Sequence, residues 1–554
     1  MRRARWFSVM LPVLVLVGCS DGTGPGDPPL ECSVESVRAL AVGEHRIIDP
    51  TVEGACVRLP EAGAGGAEHL YIPLATAGQE TPAGVFSPYL VRSFPPATAA
   101  PPPVSSLNVS SFRRPALAQT FHERLRARER ALVQGAARPT FSPGSLRVSA
   151  GSPPVVGDQR TFDVCATTDC DDFVQATATA RSVGQRVAIF VDNGAPANGY
   201  TTADLDRVQT LFDQRLYPID TVAFGRESDI DENGVVLVLL TQLVNALSPD
   251  CDSTGQVILG YFFGADLLPR GTNNPGSNEA EVFFGLVPDP NNSDCAISVE
   301  EANSHLPATF IHEFQHMINF NQHVLLRGGR SEDTWLNEGL SHFAEELGAR
   351  QIPDSECPSS TSCAQEFLVG DFLNAFGYLA NPEEFFLVIP GDSTGKLEER
   401  GASWLFVRWL ADHFAANTPL GTDLTRALVA TNQTGSVNIA ARTGVDFSTL
   451  VAEWQLANYL DDLPGFVPQD PRLTYKTWNF RFAADSNQMA FPLVPDVTDG
   501  VNYDQGGTLR AGSGRHVRVV QPAGSGAVDI QLTSATGAAL PRSIAPRIAL
   551  VRIR

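Results

Sequence analysis

The sequence predicts an α+β protein in which a central domain, built from a mixed sheet and long helices, is flanked by N- and C-terminal β-domains. Short apolar runs separated by Gly and Pro occur near both ends, as at residues 70–74 and 516–520. Between them, strand-like runs at 187–191 and 235–240 precede long helical patterns at 305–465. Short apolar runs between turn residues are typical of strands, and apolar spacings of three and four residues are typical of helices.

Changes in composition divide the chain into six segments. Its 554 residues correspond to two to four domains at about 150 residues each. We place boundaries where Pro, Gly and Ser accumulate, because such stretches are typical of linkers. The predicted segments are a signal peptide at 1–18, a lipoprotein tether at 19–30, a small β-domain at 31–94, a Pro-, Ala- and Arg-rich linker with a short helix at 95–154, the central α+β domain at 155–465 and a β-sandwich-like domain at 466–554.

The composition excludes two classes of protein. The chain has 40 Lys and Arg against 62 Asp and Glu, a formal net charge of −22, and 43% hydrophobic residues. The apolar fraction is too high for a disordered chain. The acidic balance argues against nucleic acid as a partner, because contacts to phosphate need a basic face.

The N-terminus indicates export. Three arginines precede an apolar run at residues 6–17, which has the length of a signal-peptide core and is short for a bilayer span. The run ends in LVGC at positions 16–19, which resembles a bacterial lipobox and implies that Cys19 carries a lipid in the mature chain. An ordinary cleaved signal peptide is the alternative. We therefore expect an outer-membrane or cell-surface lipoprotein that meets the membrane only through Cys19, or a secreted protein.

The cysteines fit the same compartment. Eight of the nine remain when Cys19 is set aside, and an even number favours disulfides outside the cytosol. Spacing alone cannot fix their connectivity. The simplest hypothesis joins sequence neighbours and gives the pairs Cys32–Cys56, Cys165–Cys170, Cys251–Cys295 and Cys357–Cys363.

A short helix is predicted inside the linker. Leu117, Phe121 and Leu125 recur every four residues among many charged side chains. Its Arg-rich face could contact anionic lipid, but a solvated linker helix is the preferred interpretation because charge runs usually face water.

Five of the ten histidines lie at 305–342, and two of them form the pattern H-E-x-x-H. Apolar neighbours predict a helix here, with Pro307 suited to its first turn. Histidines four residues apart project from one helix face, so His312 and His316 can bind one Zn²⁺. Glu313 lies between them, where its carboxylate can act on water without competing for the metal.

A third ligand decides between two family patterns. A metzincin would have Gly and His where this chain has Asn319 and Gln322, so that interpretation is rejected. Glu338 instead follows within the helical segment WLNEGLSHFAEE at 335–346. Together with HEFQHMIN at 312–319, this segment resembles the gluzincins, and more specifically the hyicolysin family of secreted neutral metallopeptidases. The strong resemblance covers about 40 residues, a weaker one spans 155–465, and the flanking β-regions lie outside it.

The resemblance implies a zincin-type metallopeptidase domain at 155–465, with Zn²⁺ on His312, His316 and Glu338. Three protein ligands leave a fourth position open, which is the pattern of catalytic zinc. It also implies that Glu313 is the general base and that protein or peptide substrates lie beside an edge strand, for which 280–286 is the candidate. The alternative function is a surface-anchored binding or adhesion lipoprotein with an inactive zincin core, against which the complete set of core residues argues. The oligomeric state stays open.

The chain departs from the family pattern in two places. Position 342 is His, where thermolysin has an Asp that supports a zinc-binding His. No Tyr stands before Gly401 where related aminopeptidases place one, so the oxyanion donor is open, with Tyr378 and His413 as weak candidates. Glu345 and Glu346 are expected to form a solvated face and to neighbour the ligands, and not to be ligands themselves.

A second metal motif precedes a predicted strand. Asp229, Asp231, Asn233 and Gly234 repeat the start of an EF-hand loop, but Leu240 stands where that loop needs a bidentate Glu. A Ca²⁺ site at the first three of these residues and an Asx-rich turn both remain open, and the turn is preferred.

Overall fold

The computed structural model describes Cys32 and residues 36–94, 117–135, 152–249, 251–254, 257–357, 362–391, 393 and 395–554. The predicted signal peptide, the lipid attachment at Cys19 and the tether at 19–30 lie outside these residues. Within the described ranges, no helix is both long enough and apolar enough to cross a membrane.

Strands and helices are both abundant, as expected for the α+β class. The strands are β1 (His45–Ile48), β2 (Cys56–Leu59), β3 (Ala67–Ala75), β4 (Phe86–Phe94), β5 (Gln159–Cys165), β6 (Phe173–Val183), β7 (Val187–Asp192), β8 (Val236–Leu240), β9 (Gly260–Phe262), β10 (Val282–Gly285), β11 (Asp496–Thr498), β12 (Asp504–Arg510), β13 (Val517–Gln521), β14 (Val528–Ser534) and β15 (Pro546–Arg552). The α-helices are α1 (Leu117–Gly135), α2 (Thr202–Leu211), α3 (Tyr217–Ala223), α4 (Gln242–Asn245), α5 (Cys251–Thr254), α6 (Val299–Phe320), α7 (Thr334–Gln351), α8 (Cys363–Ala380), α9 (Leu397–Phe414), α10 (Thr422–Val429), α11 (Gly435–Thr443), α12 (Phe447–Leu460) and α13 (Phe480–Ser486).

A mixed sheet with the order β5-β6-β7-β8-β10-β9 forms the centre of the molecule. β7, β8 and β10 run parallel to one another, and β9 runs antiparallel to β10 at the edge. β8 is buried at every position, as its apolar sequence VLVLL predicts. The expectation that residues 280–286 form the substrate edge is wrong, because β10 has strand neighbours on both sides. The edge strand on this side of the sheet is β9.

Helices α6 to α9 pack against one another beside this sheet. Phe310 of α6 stacks on Phe283 of β10, with ring centroids 5.0 Å apart, and on Phe212, with centroids 4.3 Å apart. These aromatic contacts hold α6 against the sheet, because stacked rings add specific geometry to a large buried apolar area. The helix carrying the H-E-x-x-H motif is therefore fixed next to β9 and β10.

The two terminal β-regions share their sheets, which differs from the expected separate β-domains at 31–94 and 466–554. One sheet has the order β1-β15-β3-β13-β11 and the other β12-β4-β14-β2. β3 pairs with β13 and β15, and β4 pairs with β12 and β14, so each central strand has neighbours from the opposite end of the chain. The physical reason is that either end alone has too few strands to cover its apolar faces and edges.

All four predicted disulfides are confirmed. The pairs are Cys32–Cys56, Cys165–Cys170, Cys251–Cys295 and Cys357–Cys363. Four disulfides in one chain favour an oxidising, extracytoplasmic compartment.

Candidate metal centre

The motif helix α6 begins at a capping box. Ser298 accepts a hydrogen bond from the Glu301 amide at 3.1 Å, and the Glu301 carboxylate accepts one from the Ser298 amide at 3.3 Å. This reciprocal pair satisfies backbone donors at the helix start. Pro307 therefore lies inside the helix and not in its first turn, where the sequence placed it.

Three predicted ligands converge between α6 and α7. Nε2 of His312 lies 3.6 Å from Oε2 of Glu338, and Nε2 of His316 lies 3.6 Å from Oε1 of the same carboxylate. The exposed fractions of the three residues are 9%, 1% and 2%, in the order His312, His316 and Glu338. Two imidazoles thus face one buried carboxylate, which is the arrangement that the resemblance implies.

The donor set fits zinc. Oε2 of Glu338 is buried and makes no hydrogen bond among the described residues, and Nη1 of Arg400 lies 3.6 Å from it as an ion-pair partner, so this oxygen keeps a lone pair for a ligand bond. Zinc takes nitrogen and oxygen ligands at about 2.0–2.2 Å in tetrahedral geometry, which places neighbouring donor atoms about 3.4 Å apart. The two 3.6 Å separations are close to that spacing.

Electrostatics favours the metal-binding charge state at Glu338 and His316. At His312 burial disfavours the charged form, but Glu338 and Glu345 outweigh it and raise its pKa to about 9, so this imidazole gives up a proton when a metal binds. Burial alone would raise the pKa of Glu338, but Arg400 and the two imidazoles outweigh it and hold this pKa well below its usual range. Burial lowers the pKa of His316 well below its usual value, so its imidazole is neutral. An ionised carboxylate and a neutral imidazole are the forms that coordinate metals.

Glu345 supports His312 from behind. Its Oε1 lies 2.7 Å from Nδ1 of His312. Metal-binding histidines ordinarily use the second ring nitrogen in this way, and the contact orients the ring. His312, His342 and Glu345 also bring ligand atoms within 4.8 Å of one another. Because Nδ1 of His312 is already engaged by Glu345, the Nε2 side with Glu338 is the better metal position.

The missing Asp at position 342 is thereby replaced by a carboxylate one turn later. One face of α7 carries Glu338, His342 and Glu345, which are separated by four and three residues. This spacing could have indicated that Glu345 lies beside the metal ligands. Contrary to the expectation from the sequence, Glu346 does not face solvent. It is fully buried and pairs with Arg408 at 3.1 Å.

Glu313 points toward the edge strand. Its Oε2 accepts a hydrogen bond from the Phe262 amide of β9 at 2.8 Å, and its side chain is 3% exposed. Glu313 also brings a carboxylate oxygen within 4.8 Å of nitrogen atoms of His312 and His316. Burial raises the pKa of Glu313, although His312 and Arg126 oppose the shift. The carboxyl group is therefore a stronger base than an ordinary Glu.

A cavity of about 920 Å³ opens beside these residues, and Arg400 and His342 contribute to its lining. Burial disfavours a charged His342, but Asp371 and Glu345 outweigh it and raise its pKa to about 10. His342 Nδ1 lies 2.8 Å from Asp371, a residue of α8 that no sequence signal indicated. Two cationic side chains thus border the cavity.

The two weak oxyanion candidates lie elsewhere. The Tyr378 hydroxyl accepts a hydrogen bond from Gln455 at 2.7 Å in the core, and Nε2 of His413 is 2.8 Å from the Thr474 carbonyl oxygen. Neither residue lines the cavity. Both are structural residues in this arrangement.

The linker helix α1 packs against the site, which the preferred interpretation of a solvated helix did not anticipate. Phe121 and Leu125 are fully buried, and the Leu117 side chain lies outside the described part of the chain. Arg126 is 5% exposed and lies 3.6 Å from Oε2 of Glu313. The helix is therefore anchored by apolar contacts and places a cation beside the catalytic candidate.

Arg126 and Glu129 also engage the backbone at and after β9. Nη2 of Arg126 donates to the Phe262 carbonyl at 3.0 Å, and Oε1 of Glu129 accepts from the Gly264 amide at 2.6 Å. Arg126 and Glu129 are themselves paired at 2.8 Å. No local pattern in the sequence predicted these contacts, because they join segments far apart in the chain.

Part of the chain is similar to a known protein. A stretch of 156 residues, 27% of this chain, is 32% identical to the neutral metalloprotease ShpI of Staphylococcus hyicus. The match covers 32% of that protein, about a third of its length. No family model matches the chain. The relation is thus to a metallopeptidase over part of the chain.

Proposed function

We propose that this chain is a zinc-dependent metallopeptidase with a zincin-type core that hydrolyses peptide bonds of extracellular proteins. The observation that carries the proposal is the approach of two imidazole Nε2 atoms to the two oxygens of the Glu338 carboxylate, at 3.6 Å each. A buried carboxylate, Glu313, lies beside them. The partial relation to a neutral metalloprotease supports the same chemistry.

His312, His316 and Glu338 would hold the metal, and a bound zinc would supply a Lewis acid that lowers the pKa of water at its open position toward about 7. Glu313 acts as the general base: its carboxylate takes a proton from the attacking water and delivers it to the departing amine nitrogen. A pKa raised by burial suits this role, because a proton acceptor works best when its pKa approaches the working pH.

Arg400 and His342 are our candidates for stabilising the oxyanion that develops on the scissile carbonyl. Both line the cavity that Glu313 borders. Arg400 is permanently charged and offers several donors, and His342 is held by Asp371. Donors aimed at developing charge in a water-poor site contribute strongly to catalysis.

The substrate would bind in extended form along β9, because the side of an edge strand that has no strand neighbour can pair with a peptide backbone. In this chain the Phe262 carbonyl already accepts a hydrogen bond from Arg126, and the Gly264 amide already donates one to Glu129. These two backbone groups are therefore not free to pair with a substrate. Arg126 also pairs with Glu313. We propose that the chain with α1 in place is a latent form, and that displacing or cleaving the α1 segment frees the edge and the base.

The test is casein hydrolysis by the purified chain lacking residues 1–18, with zinc measured in the same sample. A site for a specific protease is inserted on each side of α1, at 95–116 and at 136–151, so that α1 can be released and activity compared before and after cutting. We expect hydrolysis that increases on cutting, is abolished by a chelator and returns with zinc. Bound zinc without hydrolysis in either form would favour the alternative, a binding or adhesion lipoprotein with an inactive core.

We also propose that the protein is exported and anchored through a lipid on Cys19. Labelled palmitate should enter the wild-type chain in a bacterial host and should not enter Cys19→Ala. Equal labelling of both chains would exclude this attachment site.

A further inference from the structure

The loop that precedes β8 gathers carboxylates at the rim of the central sheet. One carboxylate oxygen from each of Asp229, Asp231 and Glu281 lies within 4.8 Å of the other two. Glu281 is distant from the loop in sequence and immediately precedes β10. β10 pairs in parallel with β8, and the Leu237 amide donates to the Glu281 carbonyl at 2.8 Å, which brings Glu281 beside the loop.

Glu281 points to a ligand independently of the acidic cluster. Its exposed fraction is 1%. Oε1 accepts hydrogen bonds from Ser228 at 2.5 Å and from the Ile230 amide at 3.0 Å. Oε2 is buried and has no hydrogen-bond partner in the part of the chain that the structure describes. A buried carboxylate oxygen left without a partner is costly, and it calls for a cation or a donor.

The local charge balance is negative. Arg160 lies 3.1 Å from Oδ2 of Asp231, so one cation faces three carboxylates. Burial raises the pKa of Glu281 to about 7, which reflects the cost of its charge in this environment. A divalent cation would balance the negative charge that remains after Arg160 has neutralised one carboxylate.

Glu281 also resolves the difficulty in the sequence motif. Leu240 occupies the position of the bidentate Glu in an EF-hand loop, and it is fully buried in β8. Asn233, expected as the third ligand, donates through Nδ2 to Asp231 and is not in the carboxylate group. Gly234 has φ +78°, as the sharp turn at the sixth loop position requires. The neighbouring strand thus supplies the carboxylate that the loop lacks.

We propose that Asp229, Asp231 and Glu281 form a Ca²⁺ site. The ligands are hard carboxylate oxygens, and two of them come from side chains of one loop without octahedral symmetry, an arrangement that Ca²⁺ accepts more readily than Mg²⁺ does. The bound ion links the loop before β8 to the start of β10, the strand next to the substrate edge. The proposal does not depend on peptidase activity, and activity is not its readout.

The test is calorimetric titration of the full zinc-loaded chain with CaCl₂, with MgCl₂ in a parallel titration. We expect one Ca²⁺ per chain with a Kd of about 10⁻⁴–10⁻³ M, the range of extracellular sites, and weaker binding of Mg²⁺. The melting temperature should rise with Ca²⁺ concentration, because a ligand of the native state stabilises it. Absence of saturable Ca²⁺ binding, or equal affinity for Mg²⁺, would overturn the proposal.

Matched variants locate the ion. Glu281→Gln should weaken Ca²⁺ binding at least tenfold, whereas Glu232→Gln, the same change at an exposed position of the same loop, should leave it unchanged. Asp229→Asn keeps the acceptor for the Gly234 amide and lies at the exposed surface, so it tests the site even if Glu281→Gln does not fold. Wild-type affinity in either ligand variant would show that the ion binds elsewhere.

Discussion

Helices α7 and α1 both bring charged side chains to the motif helix α6, with opposite charge. α7 contributes carboxylates: Glu338 faces both motif imidazoles and Glu345 binds the rear of His312. α1 contributes the guanidinium of Arg126, 3.6 Å from Glu313. One helix completes the proposed metal centre, and the other neutralises the group proposed to act as its base.

The two helices differ in how far their contacts with the site can be predicted from the local sequence. On α7, the helix that follows the motif helix in sequence, Glu338, His342 and Glu345 recur at helical spacing and share one face. The α1 contacts instead depend on a helix docking from a distant segment. Variants in each helix test the two roles separately. Changes in α7 should alter metal binding, whereas changes in α1 should alter access to the metal centre without altering metal binding.

The largest effect is expected for Glu338→Ala. Loss of a ligand should remove stoichiometric zinc and, with it, all measurable casein hydrolysis, because the metal provides the electrophile. Zinc is measured by mass spectrometry after dialysis. Glu300→Ala, in the first turn of α6, is the control for the same change at an exposed position. Full zinc content in Glu338→Ala would refute the third ligand.

Glu313→Gln should separate chemistry from metal binding. The amide keeps an acceptor for the Phe262 backbone but cannot take a proton, so we expect full zinc content and a rate reduced at least about 10²-fold, the scale of a positioned base. The comparison uses chain that has been cut on both sides of α1. Near-normal hydrolysis by the variant would contradict the proposed role.

Glu345→Gln should weaken zinc binding without abolishing it. Loss of a carboxylate behind a metal-binding His typically reduces affinity about 10–100-fold. Asp371→Asn is the matched control, because Asp371 pairs with His342 and does not touch His312. Competition with a chromogenic chelator measures both affinities, and equal losses would argue that His342 and not His312 is the metal ligand.

The smallest effect is expected for Arg126→Gln, which should increase the rate of hydrolysis where the other variants reduce zinc binding or rate. Removing the cation frees Glu313, while Phe121, Leu125 and the Glu129 contact still hold α1, so hydrolysis by the uncut chain should rise several-fold. Arg124→Gln alters an exposed arginine on the same helix and should leave the rate unchanged. After cutting and removal of α1, all three chains should have equal rates. A fall in the uncut rate would contradict the latent-form proposal.

The sequence could predict the elements whose information is local. His312 and His316 share a helix face, Glu338 follows on the next helix, and four disulfides join sequence neighbours. It could not predict that β3 would pair with β13 and β15, because a strand pattern specifies which face is buried and not which strand is its partner. Asp371 and Arg126 were missed for the same reason. Each acts through a contact that only the packed helices create.

The central claim is tested most directly by anomalous X-ray diffraction at the zinc edge from crystals of the zinc-loaded chain. We expect one anomalous peak, bonded to Nε2 of His312, Nε2 of His316 and the carboxylate of Glu338. A peak between Nδ1 of His312, His342 and Glu345, or no peak near α6 in zinc-supplemented crystals, would contradict it.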